Sequence, residues 1–120
     1  MSKTIMVIED NEDIQDIIRF VLEGEGYSVI TSIDSSLLQE IPFYKPHLVI
    51  LDNQLPDGLG KDFCLELKTR NETMATPILL ISANTHLDVM AHDCKANGYL
   101  NKPFDIAELL SVVALHIQKE

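Results

Sequence analysis

Tryptophan is missing from this chain, and only two cysteines, five glycines and five prolines occur among its 120 residues. Two cysteines cannot staple a disulfide-dense secreted scaffold. Neither Cys64 nor Cys94 stands in the CxxC spacing of a zinc or redox site. Both read as reduced core residues, because a free thiol packs as a small hydrophobe. So little Gly and Pro excludes fibrous and low-complexity chains, and no internal repeat or linker is visible. No apolar run approaches the roughly 20 residues of a membrane helix. The opening MSKTIMVIED holds no apolar core of signal-peptide length. The chain is therefore expected to be cytoplasmic, without membrane association.

Positive charge is scarce as well. Nine basic residues face nineteen acidic ones, for a net charge of −10. Nucleic-acid phosphates need a basic face, so direct nucleic-acid binding by this chain is not expected. The acidity serves solubility and permits cations or basic partners. His47, His86, His92 and His116 show no metal-ligand spacing and read as surface or boundary residues.

What is present suffices for a core. Hydrophobic residues make up 46% of the sequence and mean hydropathy is +0.07, enough for one domain over residues 1–120. Short apolar runs recur at 4–8, 27–31, 48–51, 77–81 and 98–100, and each reads as a strand. Helical spacing follows each of them. Ile14, Ile17, Ile18, Val21 and Leu22 form the first stripe, with Asn11 as its cap, Glu12 and Asp13 in its first turn, and Gly24 or Gly26 as its stop. A short helix over 35–40 should end before Pro42. A third spans 59–69. Leu87, Met90, Ala91 and Cys94 mark a fourth, and Ile106, Leu109, Leu110, Val113 and Ile117 a fifth. Strands apolar on both faces, alternating with helices, predict a parallel sheet covered on both sides, that is, an open doubly wound α/β fold. Ligands of such sheets sit outside the carboxyl ends of the strands.

The residues at those ends carry chemistry. The first strand runs into Glu9-Asp10, the third into Asp52, the fourth into Ser82, and Lys102 follows the fifth. Singly, each has an ordinary reading: Asp10 as a helix cap, Asp52 as a turn cap, Ser82 as a turn former, Lys102 as a solvated charge. Their joint placement at four strand ends is harder to explain that way. Clustered carboxylates repel, and one protonates unless a cation intervenes. An all-oxygen set suits Mg²⁺. A hydroxyl and an ammonium opposite could hold phosphoryl oxygens, and a carboxylate can itself accept a phosphoryl group.

With Glu9-Asp10, "LDNQLPDGLG" around Asp52, "ISA" at Ser82-Ala83 and "YLNKPF" around Lys102, the sequence resembles the receiver domains of two-component response regulators over essentially its whole length. The resemblance implies a flavodoxin-like (βα)5 three-layer sandwich with a parallel five-stranded sheet of order 2-1-3-4-5. It implies that Asp52 accepts a phosphoryl group from a sensor histidine kinase or phosphotransfer protein. Glu9, Asp10, Asp52 and the backbone carbonyl of Gln54 would hold Mg²⁺. Ser82 and Lys102 would bind phosphoryl oxygens, and the peptide bond before Pro103 would be cis. Ser82 and Tyr99 would form the switch, Tyr99 turning inward when Ser82 is drawn to the phosphate. Gln54 and Asn84 would tune dephosphorylation. Such a chain is a signalling receiver, catalysing only its own phosphorylation and dephosphorylation. It would act on a downstream protein partner or on an output domain outside this chain.

The sequence departs from the family pattern in several places. Glu9 replaces the more common Asp. Lys95 stands where receivers usually carry Gly, which strains it if the backbone there needs positive φ. Asn97-Gly98 replaces an acidic pair, and the last helix carries no Arg of the kind that pairs charges across some receiver dimers. The output face is expected where the fourth helix, fifth strand and fifth helix meet, with Val89 and Leu115 exposed and Val112 on the flank. Two readings of other classes remain open. A Mg²⁺-dependent phosphotransferase or phosphatase of small substrates shares the acidic edge, but Gln54 stands where its second acid would be and no glycine-rich phosphate loop occurs. A flavin binder would place an anionic phosphate against carboxylates.

Overall fold

In the computed structural model, which describes residues 2–119, the five apolar runs form one parallel sheet. Its strands are β1 (Thr4–Ile8), β2 (Ser28–Ser32), β3 (Leu48–Asp52), β6 (Ile78–Ser82) and β7 (Gly98–Asn101). Between β3 and the next helix lies a small hairpin of β4 (Gln54–Leu55) and β5 (Gly58–Leu59), paired antiparallel. The sheet order is β2-β1-β3-β6-β7. This is the expected 2-1-3-4-5 arrangement, the hairpin accounting for the two extra labels.

The helices are α1 (Glu12–Gly24), α2 (Ile41–Tyr44), α3 (Gly60–Lys68), α4 (Leu87–Asp93) and α5 (Ile106–His116). Strand residues divide by parity between two cores. Met6, Ile8, Val49, Leu51, Ile78 and Leu80 face Cys64, Leu67, Leu87 and Ala91 of α3 and α4. Ile5, Val7, Leu48, Ile50, Leu79 and Ile81 face Ile18, Leu22, Leu109 and Val113 of α1 and α5. Central strands are thus buried on both sides, which is why they read as unbroken aliphatic runs. Cys64 and Cys94 are free and buried, and the Cys64 thiol donates to the Cys94 carbonyl at 3.4 Å.

Local signals set most boundaries. Asn11 Oδ1 accepts the Ile14 N–H at 3.0 Å, so Asn11 rather than Asp10 caps α1. Asp105 and Glu108 close α5 with reciprocal side-chain-to-backbone bonds.

Three expectations need correction. The segment 35–40 is a 3₁₀ helix that continues into α2 through Pro42 instead of stopping before it. Pro42 sits in the first turn of α2, where the missing N–H has no intrahelical partner to lose; the chain leaves the helix at Lys45, with φ 49°. Ile17 and Ile106, assigned to core stripes, are exposed. The seam of α1 is filled by Ile18 and Leu22, with Ile14 and Val21 packed at its edge. Ile106 begins α5, one turn ahead of the buried Leu109 and Val113. Val89 and Leu115 are exposed as expected. Lys95 takes φ 63°, so a side chain occupies a left-handed position that favours glycine. No helix among the described residues is long and apolar enough to cross a membrane.

Candidate functional site

Parallel register brings the strand ends level. Ile8 pairs with Leu51, Asp52 with Ile81 and Ser82 with Asn101. The residue at or just after each end therefore faces one edge of the sheet. A pocket of about 450 Å³ opens there, lined by Asp10, Asn11, Ile14, Asp52, Gln54, Ser82, Ala83, Asn84 and Lys102. Glu9 lies beneath it, fully buried, while Asp52 is 4% and Ser82 7% exposed. Asp10 is open to solvent.

Carboxylate oxygens of Glu9, Asp10 and Asp52 lie within 4.8 Å of one another. Lys102 Nζ reaches in from the β7–α5 loop, 2.7 Å from Glu9 Oε1 and 3.4 Å from Asp52 Oδ1. Glu9 Oε1 is fully buried, and its one close partner among the described residues is that ammonium. The other oxygen, Oε2, accepts the Asn11 N–H at 3.2 Å. Three carboxylates thus face one ammonium. Burial, and after it the charge of Glu9, push the Asp52 carboxyl up to about 7, against the pull of Lys102. Lys102 is held above its ordinary value: burial opposes its charge, but its contact with Glu9 and the charge of Asp52 outweigh that.

This donor set fits a hard divalent cation. It consists of oxygen alone, and its three carboxylates share a single ammonium, which leaves excess negative charge. Glu9, Asp10 and Asp52 are the residues that could hold such an ion.

The remaining expected residues fall in two places. Ser82 Oγ accepts the Asn84 N–H at 3.1 Å, and the Ser82 carbonyl accepts the Lys102 N–H at 2.9 Å. Gln54 and Asn84 line the mouth of the pocket. The Lys102-Pro103 peptide bond is cis, as the resemblance implied. Tyr99 is not at the pocket. It points outward, 43% exposed, into a groove of about 440 Å³ that it shares with His92, Val112, Leu115 and His116. His116 lies over β7, where Gly98 leaves it room; a Cβ on Gly98 would stand 2.4 Å from its ring. A third cavity, about 330 Å³ and mostly apolar, adjoins the pocket and shares Ile14, Ala83 and Lys102 with it; Ile17, Pro103 and Phe104 complete it.

Two supporting residues, Asn53 and Gln15, were not singled out from sequence. Asn53 is buried; its carbonyl accepts the Gly60 N–H and its Oδ1 the Lys61 N–H, closing the base of the hairpin. Gly60 is required there, because a Cβ would sit 2.3 Å from the Asp52 carbonyl oxygen. Gln15 Nε2 donates to the carbonyls of Glu9 at 3.1 Å and Ser32 at 3.0 Å, tying the ends of β1 and β2. The available signal was their type, since Asn and Gln beside strand ends commonly bond nearby backbone.

The chain is similar to known proteins. A family model described as the response regulator receiver domain matches residues 5–114. The Escherichia coli (strain K12) KDP operon transcriptional regulatory protein KdpE is 37% identical over 109 residues, covering 88% of this chain and 47% of that protein. The chain thus spans about half the length of this curated relative. The receiver domain of NtrX from Brucella abortus superposes with a TM-score of 0.82 at 29% identity, covering 92% of this chain and 95% of that one. The receiver domain of the sensor histidine kinase PA1611 from Pseudomonas aeruginosa PAO1 superposes with a TM-score of 0.87 at 24% identity, covering 97% and 98%. That structure is described with a magnesium ion coordinated in its active-site cleft.

Proposed function

The chain belongs to the response regulator receiver domain family, and from that membership we propose that it takes a phosphoryl group from a phosphohistidine onto Asp52 and passes the change to a partner. The observation that carries this reading is Asp52 itself. It is a nearly buried carboxylate on the floor of an open pocket, beside two more carboxylates and a lysine. Carboxylates held only for structure would each have a cation of their own; here three share one lysine at the edge of an open cavity.

The chemistry follows from the placement. An Asp52 carboxylate oxygen attacks phosphorus in line with the leaving imidazole nitrogen. The P–N bond breaks, a P–O bond to Asp52 forms, and the imidazole departs with the electron pair of the broken bond. Charge on the three equatorial oxygens must be met as the transferring group becomes planar. Lys102 Nζ is 3.4 Å from the nucleophile and supplies one positive charge. The Ser82 hydroxyl accepts from Asn84, which leaves its own proton free to donate. Bound at Glu9, Asp10, Asp52 and the Gln54 carbonyl, Mg²⁺ would neutralise the carboxylates and polarise the phosphoryl oxygens. The magnesium in the PA1611 receiver supports that cation.

The apolar cavity beside the pocket supports a protein donor. A partner bringing a phosphohistidine to Asp52 must cover this rim, and Ile17 (54% exposed) together with Phe104 gives it something to bury. The opposite groove beside Tyr99 is the reading for output. If Ser82 moves toward a phosphoryl oxygen, Tyr99 can fill the space it leaves, and the face formed by Val89, Tyr99 and Leu115 changes shape. The output is a separate protein or a domain outside these residues.

A small phosphodonor such as acetyl phosphate tests the core of this reading. With Mg²⁺, intact-mass measurement should show the gain of a single phosphoryl group. Asp52→Asn and chelator should each abolish it. Undiminished labelling in either case refutes Asp52 as the acceptor or the cation as a requirement.

A further inference from the structure

The hairpin that carries Gln54 packs Leu55 into the core and is hydrogen-bonded to its surroundings at its base and at its tip. Its base is closed by Asn53, through the Gly60 and Lys61 N–H groups. Its tip is the Pro56-Asp57 turn between β4 and β5. There the Asp57 carboxylate accepts the Ser35 N–H at 3.2 and 3.3 Å and the Ser35 hydroxyl at 2.5 Å. Ser35 starts the 3₁₀ helix on the far side of the β2 end, 22 residues earlier in the chain.

Ser35 is itself braced. Asp34 accepts from the Ser36 N–H at 3.0 Å and the Ser36 hydroxyl at 2.6 Å, and Ser32 Oγ donates to the Asp34 carbonyl at 3.0 Å. The Ser32 carbonyl accepts from the Gln15 side chain, which also holds the Glu9 carbonyl, and from the Glu9 N–H. Hydrogen bonds and the short chain segment 32–36 together therefore link the Glu9 backbone, across the end of β2, to the tip of the hairpin. Gln54 lies at the pocket end of that hairpin, paired with Leu59.

We propose that Asp57 and Ser35 are positioning residues, whose clasp fixes the Gln54–Leu59 hairpin at the mouth of the Asp52 pocket. The inference rests on the proposed function, since it concerns how tightly the pocket holds Mg²⁺ and how long the phosphoryl group survives there. With the clasp closed, the hairpin keeps one conformation, and the Gln54 carbonyl and side chain keep theirs. With it open, the tip loses its tie to the 3₁₀ helix, and the hairpin keeps its two residue pairs, the Asn53 bonds at its base and the packing of Leu55 in the core; a two-pair ladder is marginal alone. The site must then order the hairpin each time it binds the cation.

Mg²⁺ affinity by titration calorimetry and the decay of the acetyl-phosphate-labelled protein test this together. Asp57→Ala removes all three bonds and should weaken Mg²⁺ binding about three- to tenfold and alter the decay rate, as loss of one or two hydrogen bonds would. Ser35→Ala removes only the hydroxyl bond and should have a smaller effect in the same direction. Ser35→Thr should restore wild-type affinity. The double variant should match Asp57→Ala, because without the carboxylate the hydroxyl has nothing left to hold. A clasp that serves only the fold would lower the melting temperature and leave the affinity of the folded protein unchanged; that result overturns the proposal, as do additive effects in the double variant. If Asp57→Ala fails to fold, Ser35→Ala and Ser35→Thr decide the question by themselves. Failure of the wild type to bind Mg²⁺ or take the phosphoryl group would instead refute the proposed function.

Discussion

Removing the charge of Asp52 should stabilise the cation-free protein at alkaline pH and leave it unaided in acid. Asp52 is almost fully buried, and burial with the charge of Glu9 raises its carboxyl from 3.8 to about 7. In the unfolded chain it titrates near its ordinary value. Between about pH 4 and pH 7 the native form therefore keeps a proton that the unfolded form has lost. The stability this confers is fully present below pH 4 and is lost as the pH rises through 7. From pH 5 to pH 8 the loss accumulates over the two units up to pH 7, at about 1.4 kcal/mol each, for a total of roughly 2–3 kcal/mol. For a domain of this size that is about 10 °C in melting temperature. Urea midpoints measured in chelator at pH 5 and pH 8 should fall accordingly in the wild type. In Asp52→Asn this part of the slope should vanish, and what remains belongs to other groups. Mg²⁺ at ten times its Kd should then return about 1.4 kcal/mol to the wild type at pH 8, or roughly 4–6 °C, with less gain at pH 5, where protons compete. Parallel pH profiles for wild type and variant, or an equal rise with Mg²⁺ in both, would refute this account of the acidic cluster.

Three further outcomes are expected. Gln54→Ala and Asn84→Ala, at the pocket mouth, should each change the decay of labelled protein by about threefold or more, at least roughly 0.6 kcal/mol of barrier, with labelling still complete; unchanged decay in both means that these side chains do not border the path of water. Ile17→Glu should slow transfer from a phosphorylated histidine kinase or phosphotransfer protein while leaving acetyl phosphate labelling intact, and equal rates from the protein donor would show that this rim is not covered. Leu115→Glu and Val89→Glu, both on exposed sites, should alter stability by no more than about 0.5 kcal/mol and keep phosphorylation while weakening self-association or partner pull-down; retention of every interaction excludes this face as the output surface.

The sheet was legible because its strands leave little choice. Leu48, Val49, Ile50 and Leu51 are consecutive aliphatics, too few for a helix and too apolar for a half-exposed strand, and all are buried. Once the strands are parallel, the residues at their ends must share an edge. Glu9, Asp52, Ser82 and Lys102 were therefore legible together, although each alone had an ordinary explanation. The clasp was not legible. Ser35 and Asp57 are 22 residues apart and are residue types found in any turn, so nothing local links them. Asn53 was hidden for a related reason: its buried amide serves backbone groups of a loop whose path the sequence does not describe.

Ile17 and Ile106 failed for a different reason, and the failure is informative. Helical periodicity marks which residues are apolar on one side; it does not give the width of the seam that receives them. On α1 the sheet accepts Ile18 and Leu22, with Ile14 and Val21 at the margin, and Ile17 is left in solvent at 54% exposure. A stripe wider than its seam means that the sequence carries more apolar surface than the domain itself can bury. A single such residue is ordinary on any protein. Ile17, however, lines a cavity that shares Ile14, Ala83 and Lys102 with the Asp52 pocket. Its surplus surface lies where the proposed phosphodonor would approach. Under the proposed function, the helix would serve two partners, the sheet beneath it and a protein above the pocket, and the sequence shows the sum of the two surfaces without the line between them.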